Sequence, residues 1–576
     1  MEKIKNILTF KLKISHTFLI LAFINIILCV IYFGKLGTFF VDISREVYIP
    51  MAMNNGDTLY KDIFNVYSPF GYQINAFMTK IFSNNLHIFY LLGYINSTFF
   101  ICGLYLISRL FFKETKYQIP FYYCILMIFC AIYAVSITNY IFPYSYSMVY
   151  ALTAFIWSLV CLLYYEKKCN KVHLFLSFLA FGASIAFKYE FIFFGLVLCY
   201  FFFKNTTVKE KIICILSLLT IPSISLGNLF LDGVTLNDLN TALNQMLILS
   251  KSTSVHNLYS FLGFIPNKSS CISIIVSFIS FIVLCAIMIL PIKIASKINK
   301  KIAFSIAIIV EIAILYFLKN YIFIENNAGV FNWIGIFSII AFSIFLIKKH
   351  SNIDKNDKLF LILFISTLLI SFKSIFYIAI NSYGSYYLPL LTLCVLIFFT
   401  KYTKIITTKS TLYLIIFFSI LFGFSNHERC RLIHNVGIPF EKGTIWVEDY
   451  TAEAIWKTYN YIKKETQKED KILVMPEGAM LNYLTNRKSD NQYYYLLPSN
   501  VELFTEEEIV KNLENNLPDY IIMTPRSFSD YKETFFCDSF GQKICNLIPK
   551  YYENPILQKG HYEYTIAIYK KRHDKI

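Results

Sequence analysis

Residues 18–85 read FLILAFINIILCVIY, FGKLGT, then FFVDISREVYIPMAMNNGDTLYKDIFNVYSPFGYQINAFMTKIFSNN. An apolar run ends directly in a loop that holds Asp42, Arg45, Glu46, Lys61 and Asp62. With its flanks, at 17–36, the run has about the 20 residues needed to cross a hydrocarbon layer of about 30 Å. It follows a basic start (Lys3, Lys5, Lys11, Lys13), and no A-x-A-like cleavage site comes after it. This pattern predicts a signal-anchor retained as the first span. Charges beside lipid cost free energy, so a cluster at the end of a span is either a solvated loop or a functional one.

The rest of the chain repeats the first half of this pattern. Of 576 residues, 56% are hydrophobic, 18% aromatic and only 16% charged, too few charges to clothe a soluble globule of this size. Apolar runs are expected to span near 17–36, 87–108, 118–137, 144–165, 172–187, 191–203, 212–228, 269–292, 302–318, 331–347, 359–378, 383–400 and 411–424. The fold class is therefore a polytopic α-helical membrane protein of about thirteen transmembrane helices. The net charge of +16 belongs to residues 1–424 and gathers in alternate loops, for example Lys167, Lys168 and Lys171, or Lys293, Lys297, Lys300 and Lys301. That is the positive-inside pattern and not a phosphate-tracking patch, so no nucleic-acid partner is expected. It predicts a cytoplasmic N-terminus, and an odd number of spans then puts everything after Phe424 outside. Lysine- and asparagine-rich usage fits a bacterial chain, so the expected location is the bacterial cytoplasmic membrane.

Residues 425–576 have ordinary soluble composition and are expected to form a second domain beside the transmembrane domain, 1–424. Ala452 to Lys464 puts Ile455, Tyr459 and Ile462 on one helical face, and KILVM at 471–475 reads as a buried strand. Pro476-Glu477-Gly478 turns the chain into a helix, and strands are expected at 519–525 and 564–569. Strands alternating with helices predict a small extracytoplasmic α/β domain. No phosphate-loop fingerprint occurs in it. Of the fourteen cysteines, Cys102, Cys124, Cys130, Cys161 and Cys285 lie in apolar runs as small hydrophobes. Cys537 and Cys545 are able to pair if the tail is outside, and their separation leaves this open.

Chemistry concentrates in the first outer loop, 37–86. If the chain turns helical there, Asp42, Arg45 and Glu46 share a face at i, i+3 and i+4. A carboxylate at a membrane surface suits accepting a hydroxyl proton or holding a metal, and a guanidinium suits a phosphate oxygen pair. The same residues also fit a surface ion pair worth a few tenths of a kcal/mol. Lys61 is a second phosphate candidate, or a lysine reaching for head groups. Lys188 and Glu190, in SIAFKYEFIFF, must face a cavity or each other.

These residues carry a resemblance. A basic start, one span and an outer loop with D-x-x-R-E and G-D-x-L-Y-K-D-x-x-x-x-Y-S-P-x-G-Y resemble the GT-C superfamily of polyprenyl-phosphate-sugar-dependent glycosyltransferases. The family 39-like branches, protein mannosyltransferases and aminoarabinose transferases, are the nearest comparison. The FKYEF segment and a C-terminal domain with Pro476, Glu477, Gly478, Asn486 and Arg487 are similar to bacterial members. The resemblance implies that Asp42 is the catalytic acid of the loop and that Arg45 or Lys61, with Lys188, holds the lipid phosphate. Two departures stand out: Asp42 is followed by Ile43 where relatives have an acidic pair, and Thr138 to Pro143 holds no acid. Glu46, Asp62 and Glu190 are thus alternatives for a second carboxylate, and a divalent metal is left open.

The expected activity is sugar transfer, with inversion, from a polyprenyl-phosphate donor to a hydroxyl of a cell-envelope acceptor (glycan, lipid or protein), with Asp42 as base and Glu46 beside it. The alternatives are a transporter or flippase of lipid-linked sugars, and a polysaccharide polymerase or ligase. The absence of a visible repeat and the gathering of charges at one face speak against a transporter.

Overall fold

A computed structural model describes residues 13–572, except 42, 114–115, 117, 205, 299–304, 307–308, 311, 315, 317–329, 350–351, 380–381, 404–406 and 490–491. The chain begins in α1 (Ile14–Ile31). Two helices, α2 (Ile43–Asn54) and α3 (Phe70–Phe82), precede α4 (Leu86–Arg109). There follow α5 (Gln118–Met127), α6 (Tyr146–Lys168), α7 (Lys171–Phe187), α8 (Gly195–Phe203) and α9 (Val208–Leu231). The loop after α9 folds into α10 (Leu236–Leu249) and α11 (Thr253–Phe261). Then come α12 (Lys268–Ile298), α13 (Ile334–Lys349), α14 (Lys355–Ser371), α15 (Leu388–Ile397) and α16 (Thr408–Ile433).

Helices occupy every expected span except 302–318, more than half of which lies outside the described residues. Seven of the described helices are long and apolar enough to cross a membrane. Their packing is inside out. On α1, Leu19, Phe23 and Val30 are 68%, 65% and 72% exposed, whereas Asn25 is fully buried. The Asn25 amide donates to Ser97 Oγ at 2.9 Å and Thr98 Oγ1 at 2.7 Å, and its oxygen accepts from the Tyr133 hydroxyl at 2.8 Å. Apolar surface wrapped around polar contacts is stable where the surrounding solvent is hydrocarbon, since lipid offers Asn25 no partner. The chain is a multi-pass membrane protein.

α16 runs past the expected boundary at 424 into the polar stretch 425–433, and β1 (Val436–Phe440) pairs antiparallel with β2 (Gly443–Val447) beyond it. After α17 (Asp449–Glu465), β3 (Ile472–Met475) leads into α18 (Ala479–Thr485), α19 (Pro498–Phe504) and α20 (Glu506–Asn515). β4 (Tyr520–Met523), α21 (Gln542–Tyr551), β5 (Ile556–Lys559) and β6 (Thr565–Lys570) complete the chain. The sheet order is β3-β4-β6-β5, with β3 and β4 parallel and the other pairs antiparallel. Ile455, Tyr459 and Ile462 of α17 are all buried, as their spacing predicts. Cys537 and Cys545 are joined as a disulfide.

The C-terminal elements pack on the segment between α1 and α4 and on the loop after α9. The Ser489 amide donates to the Tyr48 hydroxyl of α2 at 3.0 Å, and the Tyr48 ring lies 5.2 Å from that of Tyr494. Lys488 pairs with Asp57 at 2.5 Å. The Trp446 amide donates to the Gly34 carbonyl and the Leu86 amide to that of Lys442, each at 2.9 Å. Glu502 accepts the Thr253 and Ser254 amides that open α11, at 2.8 and 2.9 Å, and so caps that helix from another part of the chain.

Candidate active site

α2 starts at Ile43, directly before the two charges it buries: Arg45 is 8% exposed and Glu46 1%. Glu46 Oε1 accepts from Arg45 Nε and Nη2, each at 3.4 Å, and from the Tyr72 hydroxyl at 2.9 Å. Its Oε2 accepts the Tyr146 amide at 2.9 Å. Both oxygens are thus taken up by protein donors, which offsets the cost of burying the charge. Burial still pushes the carboxyl up, against the downward pull of Arg45, the Tyr146 amide and Tyr72. Arg45 Nη2 also donates to the Tyr144 carbonyl at 3.2 Å, and its guanidinium lies 4.7 Å from the centre of the Tyr67 ring.

The FKYEF segment supplies the other side. α7 ends at Phe187, Lys188 is extended, and a 3-10 turn over Tyr189–Phe194 leads to α8. The charges therefore sit in a break between two apolar helices. Lys188 is buried, with its ammonium 5.6 Å from the centre of the Tyr67 ring and 5.4 Å from that of Tyr383. Glu190 accepts from Lys373 at 3.1 Å and from the Tyr383 hydroxyl at 2.7 Å. Lys373, in the turn after α14, lies 4.8 Å from the ring of Tyr259 and 4.7 Å from that of Phe264, both from the loop capped by Glu502.

Arg45, Lys188 and Lys373 thus meet Glu46 and Glu190 around Tyr67 and Tyr383, three cations to two carboxylates among the described residues. The arrangement is suited to a phosphate ester, whose free oxygens match a guanidinium fork and ammonium groups. A groove of about 610 Å³ runs between α8 and α14, lined by Leu196, Val197, Leu361, Ile365 and Leu369, with Glu166, Lys204 and Lys358 also on its walls. Leu369 precedes Lys373 by about one helical turn.

The other expected residues lie elsewhere. Lys61 and Asp62 are exposed on a turn, where the Asp62 carboxylate accepts the Thr58 amide at 2.8 Å. Among the described residues, no hydrogen bond or ion pair ties either to the cluster. Asp42 lies outside the described residues. Among the described residues no three His, Cys, Asp or Glu side chains group as a metal site. Sequence reasoning missed the aromatic walls, Tyr67, Tyr72, Tyr144, Tyr146 and Tyr383. Lys373 was likewise not among its candidates. The runs YSPFGY and SYGSYY were the available signal.

The chain matches no protein-family model and no curated protein. In fold it is similar to ArnT from Cupriavidus metallidurans bound to undecaprenyl phosphate, at 10% identity over 96% of this chain and 97% of that one, with a TM-score of 0.45. It is also similar to the Archaeoglobus fulgidus oligosaccharyltransferase tethered with an acceptor peptide, at 11% identity over 97% of this chain and 74% of that one, with a TM-score of 0.48. The apo form of that enzyme gives 11% identity, 98% and 75% coverage, and a TM-score of 0.49.

Proposed function

We propose that the chain is a GT-C-type membrane glycosyltransferase that moves a sugar from a polyprenyl phosphate to a hydroxyl of a cell-envelope acceptor. The observation that carries this reading is the set of cations formed by buried Arg45 and Lys188 with half-buried Lys373, which lies about one helical turn from the nearest wall of a largely apolar groove. A long lipid tail and a phosphate need that combination in one place. The donor phosphate meets Arg45 and Lys188, with Lys373 at the rim, and the tail lies between α8 and α14. Asp42 takes the acceptor's proton as its oxygen bonds to the anomeric carbon. The carbon–oxygen bond to phosphate breaks, and its electron pair stays on a phosphate oxygen already beside cations, so no strong general acid is needed. One direct displacement inverts the anomeric centre. Glu46 holds Arg45 in place, and the exposed Lys61 and Asp62 stay outside the reacting set.

The site faces the outside in this reading. The basic loops lie on the opposite side, and the Cys537–Cys545 disulfide fits an oxidising compartment for residues 425–576. The test is full-length protein in nanodiscs with undecaprenyl-phosphate-linked glucose, mannose and galactose and with methyl α-glucoside and methyl α-mannoside as acceptors, followed by release of undecaprenyl phosphate. We expect release with one of the donors and a loss of at least about 100-fold in Asp42→Asn with melting unchanged. Unchanged turnover in that variant removes Asp42 as base. Wild-type protein that binds the donors and releases nothing is a carrier instead.

A further inference from the structure

We propose that the C-terminal part of the chain supplies a carboxylate, Glu477, which accepts a hydrogen bond from an acceptor hydroxyl next to the attacking one and so orients the acceptor; this rests on the transferase reading above. Glu477 follows β3, and Arg526 follows β4, the strand parallel to it. Both therefore sit outside the carboxyl ends of a parallel strand pair, the edge where open α/β sheets place their ligands. The two side chains form an ion pair, and the same guanidinium reaches Asp530 at 3.5 Å and covers the Phe528 ring at 4.5 Å. Two carboxylates thus share Arg526.

This edge abuts the first outer loop. Gly478 has φ +150°, and a Cβ there would come within 2.7 Å of Val474 Cγ1 and 3.2 Å of Phe40 Cδ1. Glycine thus lets the loop lie directly on the turn that carries Glu477. Between them is a cavity of about 10 Å³ lined by Ser44, Arg45, Glu477, Tyr494 and Tyr495. That is room for about one water-sized group, a hydroxyl but not a phosphate. Arg45 lines this cavity and also faces Tyr67 and the cation cluster. The cavity therefore adjoins the proposed phosphate position, on the side from which an acceptor oxygen would arrive. A hydroxyl there finds an anionic acceptor for its proton in Glu477, at 4% exposure. Sequence distance hid this: the two ends of the cavity are separated by most of the chain.

The competing role is a purely structural Glu477–Arg526 pair. The test uses full-length protein in nanodiscs, the same three undecaprenyl-phosphate hexoses, and methyl α-glucoside and methyl α-mannoside as probe acceptors. For Glu477→Gln we expect kcat/KM for the acceptor to fall about 100-fold, with donor KM, undecaprenyl phosphate binding and melting temperature within about twofold of wild type. Ala479→Val, which narrows the same cavity without touching a charge, is expected to give the same split and serves if the first variant does not fold. Transfer unchanged in a folded variant overturns the proposal while leaving the transferase reading intact. So does a parallel loss of donor binding and melting temperature, which marks a structural pair. Wild-type protein silent with all three donors overturns both readings.

Discussion

Arg45 is fixed by the Glu46 carboxylate, the Tyr144 carbonyl and the Tyr67 ring, three partners that a planar fork satisfies together. A lysine keeps the charge and loses that geometry. Arg45→Lys is therefore expected to weaken undecaprenyl phosphate binding by about tenfold or more, and to lower stability by about 1–3 kcal/mol because Glu46 stays buried with a poorer partner. Intrinsic tyrosine fluorescence and a thermal melt in detergent measure the two effects. Lys61→Ala, which changes an exposed turn, is the contrast and should leave both within about twofold. The sequence marks both cations as phosphate candidates, because a spacing pattern has no measure of burial. Glu46 shows the same limit. Its position suggests a reacting carboxylate, yet its partners Tyr72 and Tyr146 come from other helices, and Tyr146 lies outside the loop altogether.

Single elements explain what was legible and what was not. Long apolar runs announce helices because only a helix satisfies its own backbone in lipid, so their order could be read directly. The gap between the expected spans 172–187 and 191–203 likewise marks the break at Lys188, but the partners that FKYEF meets there, Tyr67, Tyr383 and Lys373, escaped. The β1–β2 turn also escaped, and it carries a titratable group. Lys442 is inserted between α2 and α18, where its ammonium lies 4.0 Å from the centre of the Tyr483 ring, and burial pulls it down to about 7. A free lysine titrates near about 10.4. Across that window the folded chain binds fewer protons than the unfolded one, so this group makes stability rise with pH above about 7. Below about 7 both states are charged, and the penalty of the buried cation is constant. Lys442→Met is expected to flatten the rise, melting above wild type at pH 7 and close to it near pH 10. Melts at several pH values check this, and an unaltered slope assigns the rise to other groups.

Taken whole, the chain places its greasy surface outward, its polar contacts inward and its charges at one end of a groove. The sequence conveys the first through composition and the alternation of basic loops. It cannot convey the last, because Glu190 meets Lys373 only through folding, with several helices between them in sequence. The groove gains little from the hydrophobic effect, since a prenyl tail leaves hydrocarbon for hydrocarbon and only packing and shape distinguish the two. Filling it should therefore act through fit. Ile365 lies on its wall, eight residues before Lys373 and so about 12 Å below it along the helix. Ile365→Trp places a large ring across the path of a long tail and leaves the phosphate site untouched. We expect undecaprenyl phosphate to bind about tenfold more weakly, and geranyl phosphate, whose chain ends above the ring, to bind as it does to wild type. Equal binding of undecaprenyl phosphate to variant and wild type would move the tail out of the space between α8 and α14. Equal weakening of both ligands would instead mean that the ring disturbs the cation cluster, so the pair of ligands separates a blocked groove from a damaged site.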